Sequence, residues 1–138
     1  MLSFDKKTLH AIEAMLTIAA HTGAQPISGK EIAARHDLPP RYLEQMLQRL
    51  VRTELLRGVR GPRGGYVLAR EKRRISLADI VQAVRADNDE TAQSSDYPSL
   101  TQLMDDLQQE IDDRLQSVTL QELAPNKTST KKTADFTI

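Results

Sequence analysis

Apolar residues recur at helical spacing in the stretch TLHAIEAMLTIAAH. Leu9, Ile12, Leu16 and Ile18–Ala19, with Met15 beside them, predict a first helix facing a core. Gly23 is its expected stop, and Gln25-Pro26 begin a loop. In SGKEIAARHDL, Ser28 stands three residues before Glu31, the capping-box pattern, so a short helix starts there with Ile32, Ala33 and Leu38 inward. Asp37-Leu38-Pro39-Pro40 reads as a turn, and Pro40 suits the first position of another helix, where its missing N–H costs nothing. That next helix, RYLEQMLQRLVRTELL, carries Leu43, Met46, Leu47 and Leu50 on one stripe. Arg41, Tyr42, Glu44, Gln45, Gln48, Arg49 and Arg52 fall on its other faces.

The pattern then changes period. LLRGVR and GGYVLA are short β-prone runs separated by Gly61-Pro62-Arg63-Gly64, which predicts a hairpin with a loop longer than two residues. SLADIVQAV reads as a short helix capped by Ser76 with Asp79 in the box position. After the polar stretch RADNDETAQSS, helical spacing returns at Leu100, Leu103, Leu107, Ile111, Leu115 and Val118. A single amphipathic helix cannot bury its own stripe, so it must pack on the first segment or on a partner. Thr119 and Glu122 predict a last helical turn, and APNKTSTKKTADFTI reads as a disordered tail. The expected division is therefore residues 1–85 as one domain, 86–98 as a linker, 99–124 as a long helix with a return segment, and 125–138 as the tail.

Charge sharpens this division. The net charge is zero, yet residues 1–86 carry fifteen Lys/Arg against eight Asp/Glu, and residues 87–123 carry one against ten. A basic first segment beside an acidic second one suggests that only the first meets a polyanion. The chain has no cysteine, which rules out disulfides, thiol catalysis and thiolate-held metal clusters. No apolar run approaches the ~20 residues of a membrane span, and MLSFDKKTLH lacks an apolar signal core, so a cytoplasmic protein is expected. His10, His21 and His36 show no paired metal-ligand spacing, and the carboxylates of the last long helix read as a solvated face, so no metal and no cofactor are expected.

The glycine-rich stretch VRGPRGGYVL at residues 59–68 poses the sharpest question. A nucleotide-binding loop needs GxGxxG or GxxxxGK[ST] between a strand and a helix; neither occurs, and a strand-like run follows. The element order supplies a better use. A short helix, a turn and a polar-faced helix form a helix-turn-helix whose second helix enters the major groove. The hairpin after it is then a wing, with Arg60 and Arg63 at its tip able to enter a narrow minor groove or fork onto phosphate. An enzyme is the weakest reading, because no nucleophile–base pair or metal constellation is evident.

The stretch ISGKEIAARHDLPPRYLEQMLQRLVRTELLRGVRGPRGGYVLAREKRRISLADIVQAV resembles the DNA-binding domain of the bacterial Rrf-two family, and AIEAMLTIA and SVTLQEL extend the likeness over most of the chain. The resemblance implies a mainly α fold with a small β-hairpin, a winged helix-turn-helix with a long C-terminal helix that crosses to a second subunit. It places Arg41, Tyr42, Glu44 and Gln45 where members read bases, Glu44 as an acceptor from cytosine amino groups. Arg60 matches the wing arginine with Arg63 beside it, and Ser28 and Lys30 lie near the helix end that meets phosphate. Arg49 joins this expected DNA-binding set, and Leu100, Leu103, Leu107, Ile111 and Leu115 form the expected dimerisation stripe.

One departure is informative. Cluster-binding members of the family carry three cysteines between the winged domain and the dimer helix. Here that region reads DNDETAQSSDYPSL, with Tyr97 aligned to the last cysteine and Leu100 to the histidine that follows it. The expected protein is a homodimeric repressor that binds palindromic double-stranded DNA, carries no iron–sulfur cluster, does no catalysis and touches no membrane. Three sources for its control stay open: a small-molecule effector, a protein effector, or loss of cluster sensing with constitutive binding. The alternative is a regulator controlled by a partner protein docking on the acidic C-terminal helix.

Overall fold

The computed structural model describes residues 4–21, 25–85 and 97–124. Gly23, the tail 125–138 and all of the expected linker except Tyr97 and Pro98 lie outside those residues. In chain order the elements are α1 (Lys6–Ala20), α2 (Gly29–His36), α3 (Pro40–Arg52), β1 (Leu56–Val59), β2 (Gly65–Leu68), a 3-10 turn (Lys72–Arg74), α4 (Leu77–Arg85), α5 (Pro98–Ser117) and α6 (Leu120–Leu123). The fold is mainly α with one antiparallel hairpin, as the pattern predicts.

Local signals set the helix starts. Ser28 Oγ accepts from the Glu31 N–H at 3.2 Å. At α4 the box is reciprocal: Ser76 Oγ accepts from the Asp79 N–H at 3.1 Å, and Asp79 accepts from the Ser76 N–H at 2.9 Å. The helix stops are less local. The expectation that α3 continues through Leu56 is corrected: it ends at Arg52. Glu54 turns left-handed at φ 65°, its N–H returns to the Val51 carbonyl, and the Leu55 N–H reaches the Leu50 carbonyl. α2 ends alike, with Asp37 at φ 53° and the Leu38 N–H on the Ala33 carbonyl. Both are Schellman closures built without glycine.

The core joins α1, α2, α3, the hairpin, α4 and the C-terminal segment. Leu43, Met46, Leu47 and Leu50 are buried as expected, and Ile32 and Ala33 meet them. On α1 the buried arc is Thr8, Ala11, Ile12, Ala14, Met15 and Ile18, whereas Leu9 is 45% exposed. Residues after α5 return to the same core. The Leu77 N–H donates to the Val118 carbonyl and the Leu120 N–H to the Ile75 carbonyl, both at 2.8 Å, and Leu120 is fully buried.

This return splits the α5 stripe. Leu115 is buried and Ile111 packs against the core of the same chain. Leu100, Leu103 and Leu107 stay exposed, joined by Met104, which lies outside the three-and-four leucine spacing. No helix among the described residues is long and apolar enough to cross a membrane.

Candidate nucleic-acid interface

α3 carries its apolar stripe inward, so the opposite crest is fixed by helical geometry. Residues spaced four, three and four apart on that crest are Arg41, Gln45, Gln48 and Arg52, all exposed. Gln48 and Arg52 were outside the expected DNA-binding set; their spacing from Arg41 is the signal that marks them. The crest offers two guanidinium forks and two amides, side chains suited to guanine, adenine and phosphate.

The flanks of α3 are anchored. On one flank the Tyr42 hydroxyl and His10 Nδ1 lie 2.9 Å apart, with the rings edge to face at 5.6 Å. Partial burial, and to a lesser extent the charge of Asp5, raises the Tyr42 phenol above its ordinary value. Arg49 Nη1 donates to the Val84 carbonyl at 3.1 Å, which draws Arg49 towards the end of α4 and away from the crest. On the other flank, Tyr66 of β2 donates its hydroxyl to Glu44 Oε2 at 2.8 Å, and Gln48 Nε2 donates to that hydroxyl at 3.1 Å. Burial, then the hydrogen bond and charge of Glu44, push the Tyr66 phenol up to about 12.

The hairpin stands beside α3. Its register pairs Leu56 with Leu68 and Val59 with Gly65, leaving Arg60–Gly64 as the tip. Arg60 and Arg63 are exposed there, and Gly61 supplies a φ of +119° that the turn requires. The base of the hairpin is stapled to the start of α2. Ile27 and Tyr66 exchange backbone hydrogen bonds at 3.2 and 2.9 Å, and a Cβ on Gly65 would lie 2.3 Å from the Ile27 carbonyl oxygen. Ser28 caps α2, and Lys30 is exposed in its first turn, where the helix dipole adds to its charge.

The Rrf2 model, described as an iron-dependent transcriptional regulator, matches residues 4–126. The transcriptional regulator IscR of Sodalis glossinidius is 36% identical over 133 residues, covering 91% of this chain and 81% of that protein. Among solved structures, IscR of T. potens superposes with a TM-score of 0.75 at 34% identity, covering 88% of this chain and 85% of that one. CymR, the global cysteine regulator of B. subtilis, superposes at 0.76 with 30% identity, covering 90% and 97%. The iron dependence in the family description finds no thiolate donors here, because the chain has no cysteine. Nor do three His, Asp or Glu side chains converge to hold a metal ion among the described residues. The donor set does not fit a cysteine-held cluster. The core, the recognition helix, the wing and these likenesses agree: the chain belongs to the Rrf2 family of DNA-binding transcription regulators.

Proposed function

We propose that the chain is a cytoplasmic homodimeric repressor that reads palindromic operator DNA and does so without an iron–sulfur cluster. The observation that carries this reading is the α3 crest of Arg41, Gln45, Gln48 and Arg52, exposed beside a wing tipped by Arg60 and Arg63. The crest reads base edges in the major groove, and the tip follows the adjacent minor groove or its phosphates. Ser28 and Lys30 at the start of α2 hold the phosphate backbone.

The dimer rests on α5. Leu100, Leu103, Met104 and Leu107 form an exposed apolar run on a helix whose other positions are mostly acidic or amide. A second copy of the same helix covers that run in an isologous contact. Two recognition helices related by a two-fold axis then face half-sites about one helical turn apart, ~10 bp.

A mobility-shift titration of the protein against its own promoter region tests the reading. Saturable, palindrome-dependent binding that weakens steeply with salt is expected. Failure to bind any fragment, or salt-independent binding, refutes it. An absorbance spectrum of anaerobically purified protein should lack a cluster band, and genome-wide mapping of bound sites identifies the genes controlled.

A further inference from the structure

Glu44 sits in a slot made by three elements. On one side the Tyr66 hydroxyl, carried by the wing, donates to Glu44 Oε2 at 2.8 Å. On the other lies Gly29, the first residue of α2; a Cβ there would stand 2.8 Å from Glu44 Oε1. The partial positive charge of the α2 N-terminus faces the carboxylate. Gln48, one helical turn after Glu44, donates to the far side of the Tyr66 hydroxyl at 3.1 Å.

The rest of Tyr66 is core. Its residue is 6% exposed, its backbone N–H and carbonyl both bond to Ile27, and Gly58 of β1 lies opposite it in the hairpin register. Packing alone would be served by phenylalanine. The hydroxyl adds a donor aimed at one oxygen of an otherwise flexible carboxylate, and Gly29 leaves the space that this carboxylate fills. A glutamate held in one rotamer presents its remaining lone pairs in a fixed direction, which a hydrogen-bond readout of a base amino group requires.

We propose that Tyr66 is a specificity-determining positioning residue. Its hydroxyl fixes Glu44, so that wing and recognition helix present one rigid reading surface. This rests on the DNA reading proposed above, with Glu44, exposed beside the α3 crest, as a further base reader.

The experiment compares wild type, Glu44→Ala, Tyr66→Phe, Gly29→Ala and the double variant Glu44→Ala/Tyr66→Phe. Each is titrated against the operator, operators with single base-pair changes, and a scrambled duplex. Glu44→Ala identifies the base pair that Glu44 reads. At that pair Tyr66→Phe should lose discrimination by about tenfold, with affinity for the scrambled duplex and the salt slope unchanged. Gly29→Ala disturbs the same carboxylate from the opposite side without touching the tyrosine, and should lose discrimination at the same pair. In the Glu44→Ala background, Tyr66→Phe should add nothing. The proposal is overturned if Tyr66→Phe discriminates like wild type. It is also overturned if Tyr66→Phe weakens specific and scrambled binding alike, the mark of a merely structural tyrosine. Wild-type preference unchanged by Glu44→Ala at every position would instead remove Glu44 as a reader, and the proposal with it. Absence of any operator preference in the wild type would refute the proposed function itself. Should Tyr66→Phe melt before binding can be measured, wild-type discrimination by Gly29→Ala overturns the proposal, since the direction of the carboxylate would then not matter.

Discussion

Two glycines in one hairpin should respond to alanine with opposite signs. Gly65 occupies φ +156°, and a Cβ on it would meet the Ile27 carbonyl oxygen at 2.3 Å and its carbon at 2.5 Å, both backbone atoms. Neither can move without separating β2 from the segment before α2. The unfavourable backbone region costs about 1–3 kcal/mol. Losing the two hydrogen bonds between Ile27 and Tyr66 removes about 0.5–1.5 kcal/mol each. Gly65→Ala should therefore destabilise by roughly 2–6 kcal/mol, a large share of the ~5–15 kcal/mol that holds a domain. Gly58 lies in β1 with nothing within 4 Å of a Cβ and an ordinary φ. Gly58→Ala should be neutral or stabilise by up to about 1 kcal/mol, because alanine restricts the unfolded chain. Urea unfolding of both variants and wild type at one protein concentration measures this directly. Gly65→Ala should lower the midpoint by about 1 M or more, with the slope preserved. A Gly65→Ala protein within 1 kcal/mol of wild type would refute the stapling of wing to α2, as would equal effects at the two positions.

Arg60→Ala should weaken operator binding by roughly 1–3 kcal/mol, while Lys30→Ala should reduce the log–log salt slope by about 1 without altering base preference; both are read from binding isotherms at several salt concentrations. Leu103→Asp on α5 should dissociate the proposed dimer, since a two-fold contact counts each lost leucine twice, roughly 3–6 kcal/mol; sedimentation should show a folded monomer. The alkaline limb of stability should carry the signature of Tyr66. Its phenol ordinarily titrates at 10.0 and is pushed up to about 12 in the folded chain, so its contribution is full below pH 10 and is lost as pH rises towards 12. Urea midpoints at pH 9 and 11 should accordingly fall less for Tyr66→Phe than for wild type.

What the chain discloses by itself follows the range of each interaction. The boxes at Ser28 and Ser76 span three residues and are legible, as are the α3 stripe and the arginine-tipped hairpin. α1 is less legible because its contacts use small residues. Ala11 and Ala14 are fully buried and Thr8 nearly so, while Leu9, a stronger hydrophobic signal, faces outward. The stop of α3 was hidden because Glu54, not glycine, takes the left-handed position. On α5 the even heptad-like spacing concealed two different environments. Ile111 and Leu115 lie close enough to the return at Val118–Leu120 to join the core of their own chain, and Leu100 to Leu107 do not. Contacts across 22 and 35 residues, Tyr66 to Glu44 and Arg49 to Val84, left no mark on any local pattern.

The anchoring of α3 changes how DNA-binding defects in this protein must be interpreted. Three of the residues expected to touch DNA, Tyr42, Glu44 and Arg49, also fasten the helix to α1, the wing and α4 respectively. Alanine at any of them removes a hydrogen bond that orients the helix, so weaker binding alone does not identify a lost DNA contact. The crest residues Arg41, Gln45 and Arg52 are exposed and project away from the core, so their substitution leaves the packing of α3 intact. A crest defect must therefore come with an unchanged unfolding midpoint, whereas a flank defect comes with a lowered one. Where the two coincide, as at Glu44, only the pattern of base discrimination separates reading from positioning. Total affinity responds to any tilt of α3, but the loss of preference at a single base pair requires that one carboxylate be displaced.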